Sequence, residues 1–428
     1  MNARGLTCVG GLLWVLVGCA SPTEAVVNDV GPVVGHVDKT SARILFRRGE
    51  AGDVHLTVTT PAGAVVVRSQ ATAEPGSDLT VSLDVPGLTA GTAYAYTVVA
   101  GDRSYSGTFR TAPTDSRRKV RLAFGSCAND RVYADSRSFT AIRERKPDAL
   151  VLLGDTPYID STKLKIQRRR YREFWSWPSA RPLFANVPTW GTWDDHDFGR
   201  NDTVGKLKFK ERSRQAFLEY HAHASFGERD EGIYTRFRWG PIEVWLLDTR
   251  WFGGLEPSPF DPKKTSLLGA AQLAWLQRSL KTSDATFKML ACGMIWNGAV
   301  RPLKRDHWGT WAHERDGLFR WIGEQRISGV VLMGGDIHRS RALRHPTRAS
   351  AGYPITELIT SPLANSTISL AKQPSPWLLH DAAERETWME VDVDGTADDP
   401  TLEATCRTSD GRTLFRVAVK ASQLARAR

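Results

Sequence analysis

The sequence predicts two folded parts, an all-β sandwich over residues 27–112 followed by an α/β domain over residues 118–428. Short β-branched and apolar runs alternate with turn residues as far as Pro113, which is typical of a sandwich. Beyond Lys119, near-continuous apolar runs alternate with helical patterns, which is typical of strands buried on both faces. With 428 residues, 41% of them hydrophobic, the chain is long enough for two or three domains.

The first residues have the composition of an export signal. Arg4 precedes a short apolar run from Leu12 to Val17, which is too short to span a bilayer. The segment Leu16-Val17-Gly18-Cys19 resembles a bacterial lipobox, so residues 1–19 are predicted to be a lipoprotein signal peptide and Cys19 to carry lipid. The alternative is a buried first helix. An exported protein of the bacterial cell envelope, on the periplasmic or cell-surface face and attached to the membrane through Cys19, is therefore expected.

The sandwich is predicted from about seven short strands between Gly31 and Pro113. The runs of strand-like composition are Ala42–Arg47, Val54–Thr59, Ala64–Ser69, Asp78–Val85, Ala93–Val99 and Gly107–Thr111. The stretch from Val85 to Tyr96 resembles the corner of a fibronectin type III-like domain, where a tyrosine hydroxyl bonds back to the backbone. Residues 112–119, which contain Pro, Ser and three basic residues, are predicted to link the two parts.

The α/β domain is predicted from alternating strands and helices. The strands are Val120–Gly125, Ala149–Gly154, Thr189–Trp193, Ile242–Leu247, Phe287–Met294 and Val330–Met333. The helices are Ser138–Lys146, Leu164–Trp175, Lys206–His223, Ala270–Ser279 and Glu314–Glu324. Three further strands, Trp388–Asp392, Leu402–Thr408 and Leu414–Val419, end the chain.

The charge balance favours anionic partners. Lys and Arg number 57 against 47 Asp and Glu, a formal net charge of +10. The sign of the charge alone does not choose among phosphate esters, acidic surfaces and nucleic acid. The positive charge is not clustered, so specific nucleic-acid recognition is not expected, and no obligate protein partner is evident. If Cys8 is removed and Cys19 lipidated, Cys127, Cys292 and Cys406 remain. This odd number argues against a disulfide framework, although the last two could pair.

Polar residues follow four predicted strands. Cys127 follows the first, Asp155 and Tyr158 the second, Asp194-Asp195-His196-Asp197 the third and Asp336-Ile337-His338 another. Each alone could cap a helix or satisfy a backbone group. Together they would place several carboxylates at one sheet edge, where like charges disfavour ionisation unless cations neutralise them. A binuclear metal site bridged by Asp155 resolves this conflict.

The ligand types divide by hardness. A Cys thiolate, a Tyr phenolate and a His imidazole suit a transition metal, with ferric iron the natural partner of phenolate. Asp195 and Asp336 offer only oxygen, which suits Ca²⁺ or Mg²⁺. His196 is predicted to donate a proton to a leaving alkoxide or to hold a phosphoryl oxygen, or alternatively to make only a supporting hydrogen bond. Arg200 and Arg250 are candidates for binding phosphoryl oxygens, with surface ion pairing as the alternative.

A set of motifs stands in order along the chain. It consists of Ser126-Cys127, Gly154-Asp155-Thr156-Pro157-Tyr158, Trp193 to Asp197, Leu247-Asp248-Thr249-Arg250 and Gly335 to His338. This set resembles the alkaline phosphatase D (PhoD-like) branch of the calcineurin-like metallophosphoesterases. The resemblance implies a four-layer α/β/β/α fold behind a small β-sandwich, and phosphate ester hydrolysis at an iron and calcium centre. It places Cys127, Asp155, Tyr158 and His338 on the iron side, and Asp155, Asp195 and Asp336 on the calcium side. His196 matches the histidine that faces the scissile phosphate.

Two departures from the wider superfamily bear on the metals. Ser126-Cys127 stands where the superfamily has Asp-x-His, and Asp195 stands where it has an amide ligand. The extra negative charge leaves Mg²⁺, Mn²⁺ or Zn²⁺ open beside Ca²⁺. The sequence therefore predicts an alkaline phosphatase or phosphodiesterase, the alternative being a surface-displayed binding lipoprotein with a structural or inactive metal site. The absence of Gly-x-Ser-x-Gly and His-Glu-x-x-His motifs argues against serine hydrolases and zinc proteases.

Overall fold

The computed structural model describes residues 29–371 and 373–426, so the predicted signal segment and Cys19 lie outside the described residues. Seven strands form the first part of the fold. They are β1 (Val30–Val37), β2 (Ala42–Arg47), β3 (Gly52–Thr59), β4 (Val65–Ala73), β5 (Thr80–Val85), β6 (Ala93–Ala100) and β7 (Arg103–Arg110). They make a three-stranded sheet in the order β1-β2-β5 and a four-stranded sheet in the order β4-β3-β6-β7, both antiparallel. Ile44, Leu56 and Val98 from the two sheets are buried in one apolar cluster.

Fifteen further strands follow. They are β8 (Lys119–Gly125), β9 (Ala149–Leu153), β10 (Thr189–Thr192), β11 (Thr235–Trp239), β12 (Ile242–Leu246), β13 (Pro257–Ser258), β14 (Asp261–Thr265), β15 (Phe287–Ala291), β16 (Val330–Gly334), β17 (Ser340–Arg344), β18 (Thr356–Ile359), β19 (Leu378–Ala382), β20 (Thr387–Asp394), β21 (Thr401–Thr408) and β22 (Thr413–Lys420). One sheet has the order β10-β9-β8-β20-β21-β22 and the other β11-β12-β15-β16-β18-β17-β19. Strands β8, β9 and β10 run parallel, as do β12, β15, β16 and β18.

Eight helices connect or cover these sheets. They are α1 (Ser138–Glu144), α2 (Leu164–Trp175), α3 (Arg181–Phe184), α4 (Asp195–Phe198), α5 (Lys210–Tyr220), α6 (Gly269–Thr282), α7 (Ala312–Glu324) and α8 (Arg348–Ala351). Helix α2 has the predicted bounds. Helix α5 is shorter than predicted, because Phe209 before it has a left-handed backbone and His221 after it is extended.

Alternating side chains of β8 and β9 explain the layering. Leu122 and Phe124 pack in the cluster that contains residues of β12, β15 and β16, between the two sheets. Ala123, Leu150 and Leu152 point the other way, into a cluster with residues of α1, α2 and α5. Leu276 of α6 and Leu318 of α7 pack on the second sheet. Helices therefore cover one face of the first sheet and the second sheet packs on its other face, so that β8 and β9 are buried on both faces.

The sandwich packs closely on the α/β part. Val30, Val33 and Leu45 share an apolar cluster with Phe174 and Phe184 of α2 and α3. The Tyr96 hydroxyl donates a hydrogen bond to the Ala185 carbonyl oxygen at 2.8 Å. Asp78 accepts hydrogen bonds at 2.8 Å from Arg172 of α2, and also one from the Tyr220 hydroxyl. The two parts are thus joined by a shared core and by buried polar contacts.

Cys127, Cys292 and Cys406 are all free and buried, so the pairing of the last two does not occur. Within residues 29–371 and 373–426, no helix combines the length and the apolar character that crossing a bilayer requires.

Candidate metal centre and active site

The predicted ligands follow parallel strands of two sheets. Cys127 comes just after β8, Asp155 and Tyr158 after β9, and Asp195 after β10, all from one sheet. Asp336 and His338 follow β16 of the other sheet. Since ligands collect at the carboxyl ends of parallel strands, both sheets direct their functional ends to one place. There, a cavity of about 100 Å³ is lined by residues that include Asp155, Tyr158, His196, Asp336 and His338.

The backbone at four of these positions is unusual. Cys127, Asp155, Asp336 and His338 have φ angles of 58°, 51°, 66° and 54°. Non-glycine residues rarely adopt this left-handed conformation, and where they do, the surrounding structure must hold them there. Strained backbone of this kind is concentrated at functional sites. The fold therefore stabilises sharp turns that place Asp155, Asp336 and His338 in the cavity lining and Cys127 next to Asp155.

Glycine beside Asp155 lets two of the turns approach each other. Gly154 has φ 89°, and a Cβ atom there would lie 2.3 Å from the Asp194 backbone nitrogen. Gly293 is equally close to Asp194, since its Cβ would lie 2.4 Å from the carboxyl carbon. Neither position accepts a side chain without displacing the turn that carries Asp195.

The soft ligands lie together. The Cys127 Sγ atom is 3.5 Å from Asp155 Oδ2, and the Tyr158 hydroxyl is 2.9 Å from His338 Nε2. His338 Nδ1 lies 2.6 Å from the Ser366 carbonyl oxygen and must donate to it. This bond leaves Nε2 with its lone pair facing the cavity, the form in which histidine binds a metal. Burial lowers the pKa of His338 to about 4, which also favours the neutral imidazole.

The hard ligands form an adjoining group. Carboxylate oxygens of Asp194, Asp195 and Asp336 lie within 4.8 Å of one another, and atoms of Asp155, Asp195 and His196 form a second such set. The buried Asp336 Oδ2 atom has no hydrogen-bond partner among the described residues. A buried carboxylate oxygen without a partner is costly, and a cation would satisfy it.

The electrostatics fit a metal centre. Burial, together with the neighbouring charge of Asp195, raises the pKa of Asp155 well above its ordinary value. Burial and the charge of Asp155 likewise raise the pKa of Cys127. Burial raises the pKa of Asp336 to about 6, although Lys304 opposes the shift. These groups bind a cation only when deprotonated, and the charge of a cation is what would offset their burial and mutual repulsion.

His196 lies at the cavity with a partner that the sequence did not reveal. Its Nδ1 atom is 2.6 Å from Asp160 Oδ1, and Nε2 takes part in no hydrogen bond with a described residue. Burial alone would lower the pKa of His196, but the Asp160 hydrogen bond and the charges of Asp155 and Asp195 raise it to about 10. The arrangement presents a protonated imidazole to the cavity, which suits a general acid.

Arg250 does not lie in the cavity. Its guanidinium is fully buried and donates to Asp194, at 2.6 Å from Nε, and to both oxygens of Asp306, at 2.7 and 2.8 Å. These carboxylates occupy its donors, so in this structure Arg250 supports the turn that carries Asp194. A buried ion pair was not among the expectations from the sequence, which does not show how deeply the residue after β12 is buried.

Arg200 is exposed but lines a neighbouring groove with Thr162, Lys206 and Lys208, outside the cavity. The basic side chains that do line the cavity, besides the histidines, are Arg301 and Lys304, neither of which was expected from the sequence. The Lys304 Nζ atom lies 3.1 Å from Asp336 Oδ1 and 3.2 Å from Asp202 Oδ1, and the Lys304 side chain is almost fully buried. The segment around Lys304 has no motif or periodicity that would have singled it out.

Comparison with known proteins assigns the family. The model of the PhoD-like phosphatase family matches residues 122–399, which include all the predicted metal ligands. The chain belongs to the PhoD-like phosphatase family. Alkaline phosphatase D of Bacillus subtilis (strain 168) is 24% identical to this PhoD-like chain over 331 residues, which are 65% of the chain and 56% of that relative. The match thus spans little more than half the length of the relative.

Solved structures agree on the fold. A structure of PhoD superposes with a TM-score of 0.75 at 18% identity, covering 92% of this PhoD-like chain and 90% of that one. A purple acid phosphatase from yellow lupin (Lupinus luteus) seeds superposes with a TM-score of 0.70 at 10% identity, covering 92% and 74%. The PhoD-like chain therefore has a metallophosphoesterase-like α/β fold with several sheets.

Proposed function

We propose that this protein hydrolyses phosphate esters, as an alkaline phosphatase or phosphodiesterase, at a binuclear metal centre. The observation that carries the proposal is the convergence of soft and hard ligands from two sheets on one cavity. Membership of the PhoD-like phosphatase family supports the reaction class. The basic net charge suits a phosphate ester as the partner, without specific nucleic-acid recognition or an obligate protein partner.

Residues of the two groups divide between two metals. Cys127, Asp155, Tyr158 and His338 would hold Fe³⁺, and Asp155, Asp195 and Asp336 would hold Ca²⁺, with Mg²⁺, Mn²⁺ or Zn²⁺ as other candidates for the second position. When bound, the two cations supply Lewis acidity and an activated water. The partnerless Asp336 Oδ2 and the neutral His338 imidazole support this assignment.

The side chains of the cavity carry the remaining steps. Asp160 holds the His196 imidazole, so that Nε2 can pass a proton to the departing alkoxide. The ammonium of Lys304, already in the cavity wall, gives the phosphoryl group a positive contact that fixes its orientation. The site is enclosed by buried residues of both sheets, which limits the water that reaches the reacting group.

The proposal extends to the sandwich and the location. Residues 27–112 form a fibronectin III-like domain in front of a catalytic domain that comprises residues 118–428. In support, the strands have the sheet orders β1-β2-β5 and β4-β3-β6-β7, and the Thr89 backbone N–H donates to the Tyr94 hydroxyl oxygen at 2.9 Å.

Residues 1–19 direct export, and lipid at Cys19 anchors the protein in the bacterial cell envelope. The lipobox-like sequence supports this location.

The test combines metal content with turnover. Protein purified without chelator is subjected to elemental analysis, and hydrolysis of p-nitrophenyl phosphate and bis-p-nitrophenyl phosphate is measured with Ca²⁺ present and removed. Iron near one equivalent, a visible absorption band from phenolate and thiolate ligation, and Ca²⁺-dependent turnover are expected. The preferred ester then separates monoesterase from diesterase activity. Protein without metal or turnover would contradict the proposal and favour a binding lipoprotein.

A further inference from the structure

Three loops form the mouth of the cavity, namely residues 199–209, 299–306 and 366–371. We call this surface the rim. They contribute Asn201 from the first loop, Arg301 and Lys304 from the second, and Ile368 from the third to the cavity lining. The ion pair between Lys304 and Asp202, at 3.2 Å, joins the first two loops. Val300 of the second loop and Ala371 of the third are buried in one apolar cluster, so the three loops are connected around the cavity.

Large apolar side chains protrude from the rim. Leu303 is 97% exposed, Leu370 is 70% exposed and Phe209 is 56% exposed. Leu255, which is 48% exposed, lies against the first loop, because a Cβ atom on Gly205 would be 2.7 Å from its Cγ. These are the most exposed large apolar residues in the described part of the chain apart from Val132. A soluble protein rarely gathers such residues at one place unless they contact a partner or a membrane.

The backbone holds two of these side chains outward at a cost. Phe209 and Leu303 have φ angles of 64° and 67°, which bulky residues seldom adopt. Neither side chain gains burial in return, since both remain exposed. At Phe209 the left-handed residue also begins helix α5, and Arg212 lies over one face of the ring. At Leu303 the visible result of the strained conformation is an apolar side chain presented to the surroundings.

The charge on the rim is positive. Arg200, Lys206, Lys208, Arg301 and Arg305 form no ion pair with another residue of the described ranges. The acidic side chains of the same loops are already engaged, Asp202 with Lys304 and Asp306 with the buried Arg250. Basic residues without partners therefore accompany the apolar ones, with Arg301 at the cavity and Arg200, Lys206 and Lys208 in the adjoining groove.

We propose that the rim docks on a lipid bilayer that contains anionic phospholipids. Apolar side chains entering the acyl boundary, with Lys and Arg at the headgroup level, are the composition of a membrane-interface surface. A soluble polyanion would use the basic residues but gain nothing from Leu303 and Leu370. Docking brings the cavity against the headgroup phosphates. The inference concerns binding and goes beyond the proposed hydrolysis, although it gives that reaction a place to find its substrate.

The test uses sedimentation with vesicles. Every sample is the chain without residues 1–19, which removes both the apolar run from Leu12 to Val17 and the predicted lipid site. It is mixed with vesicles of phosphatidylcholine alone or with phosphatidylglycerol. We expect binding to the mixed vesicles that weakens with salt. Leu303→Ser/Leu370→Ser should weaken it by at least about tenfold, and Lys206→Gln/Lys208→Gln by about fivefold per charge. Val65→Ser/Val66→Ser, on β4 of the sandwich, is the matched control and should leave binding unchanged.

The outcomes separate this inference from the proposed function. Turnover of p-nitrophenyl phosphate should be the same in all these variants, because none of the changed residues lines the cavity. The inference is wrong if the starting protein ignores mixed vesicles or if the leucine variant binds them equally well. It is also wrong if the leucine pair instead controls self-association in solution, or if soluble polyphosphate displaces vesicles from both proteins equally. Vesicle binding without any hydrolysis would refute the proposed function alone.

Discussion

Asp160 and His196 are joined twice. The Asp160 carboxylate oxygen Oδ1 lies 2.6 Å from His196 Nδ1, and the Asp160 backbone N–H donates to the His196 carbonyl oxygen at 2.9 Å. The imidazole is also packed against Tyr158, with ring centroids 4.6 Å apart. The orientation of the proposed general acid is therefore fixed by the loop after β9, as well as by its own short helix.

Asp160→Asn should loosen the orientation of the His196 imidazole without removing metal. An amide cannot stabilise the protonated imidazole as a carboxylate does, so kcat for p-nitrophenyl phosphate should fall at least about tenfold. Metal content by elemental analysis should stay constant, because Asp160 is not among the predicted ligands. An unchanged kcat would show that His196 does not depend on Asp160.

Asp155→Asn should remove both metals. Asp155 is the shared ligand of the two proposed positions, and an amide carries no charge to hold either cation. Elemental analysis should find metal occupancy reduced, and hydrolysis should fall at least about a hundredfold. Asp135→Asn, at an exposed position, is the control. Full activity in the Asp155 variant would rule out the binuclear assignment.

Arg250→Met should destabilise the fold. The substitution leaves the carboxylates of Asp194 and Asp306 buried without their partner, which costs about 3–5 kcal/mol of unfolding free energy. Urea denaturation of the variant and of the starting protein measures the difference. Arg200→Met, at an exposed position, should change stability by no more than about 0.5 kcal/mol. Equal stability of all three proteins would mean that the Arg250 ion pairs are not maintained in solution.

Glu390 should make the stability of the fold depend on pH in the acidic range. Burial opposes its ionisation, but hydrogen bonds from Arg145 at 2.7 Å and Arg407 at 2.8 Å outweigh it and hold the pKa of Glu390 below its ordinary value. Because its pKa is lowered, ionised Glu390 stabilises the fold at pH values above the ordinary pKa of a glutamate, which is about 4.3. This contribution is lost as the pH falls through the lowered pKa. Glu390→Gln should thus reduce Tm most at neutral pH.

The gap in Tm between Glu390→Gln and the starting protein should narrow as the pH is lowered from 7 to about 3. Differential scanning calorimetry across this range provides the measurement. Glu403→Gln on β21, whose carboxylate is 3.9 Å from Arg416, is the control and should show little effect at any pH. A gap that stays constant with pH would contradict the assignment.

Removal of residues 27–112 should not leave a soluble enzyme. The deletion uncovers Phe174 and Phe184, which share an apolar cluster with Val30, Val33 and Leu45. It also leaves Arg172 without Asp78. We expect the shortened chain to aggregate and to lack a cooperative thermal transition. A soluble shortened chain with full turnover would mean that the sandwich serves only to display or shield the catalytic part.

Much of the fold could be predicted because its local signals are strong. The parallel strands β8, β9, β12, β15 and β16 are continuous apolar runs, and α2 has a clear helical period. Strands β17, β18 and β19 were missed, because each is only four or five residues long and polar residues interrupt their apolar character. Helix α5 was predicted too long, since the left-handed turn at Phe209 depends on tertiary contacts that composition does not reveal.

The site could be predicted less completely, for physical reasons. The six proposed ligands follow strand ends, a position that is visible in the sequence, and they meet at one cavity or its immediate wall. Asp160 and Lys304 were missed because each reaches the site through a loop without a motif. For Arg250 both phosphoryl binding and ion pairing stayed open, because the sequence does not distinguish a guanidinium that faces solvent from one enclosed by two carboxylates.

The origin of the ligands in two different sheets has a mechanical consequence. Cys127, Asp155 and Tyr158 extend from one sheet, while Asp336 and His338 extend from the other. An ion held by both sets would cross-link the two sheets, in addition to the apolar side chains that pack between them. Prolonged exposure to a chelator should therefore loosen the protein as well as inactivate it, and a preparation stripped in this way should recover slowly, because refilling the site requires the sheets to be in register again.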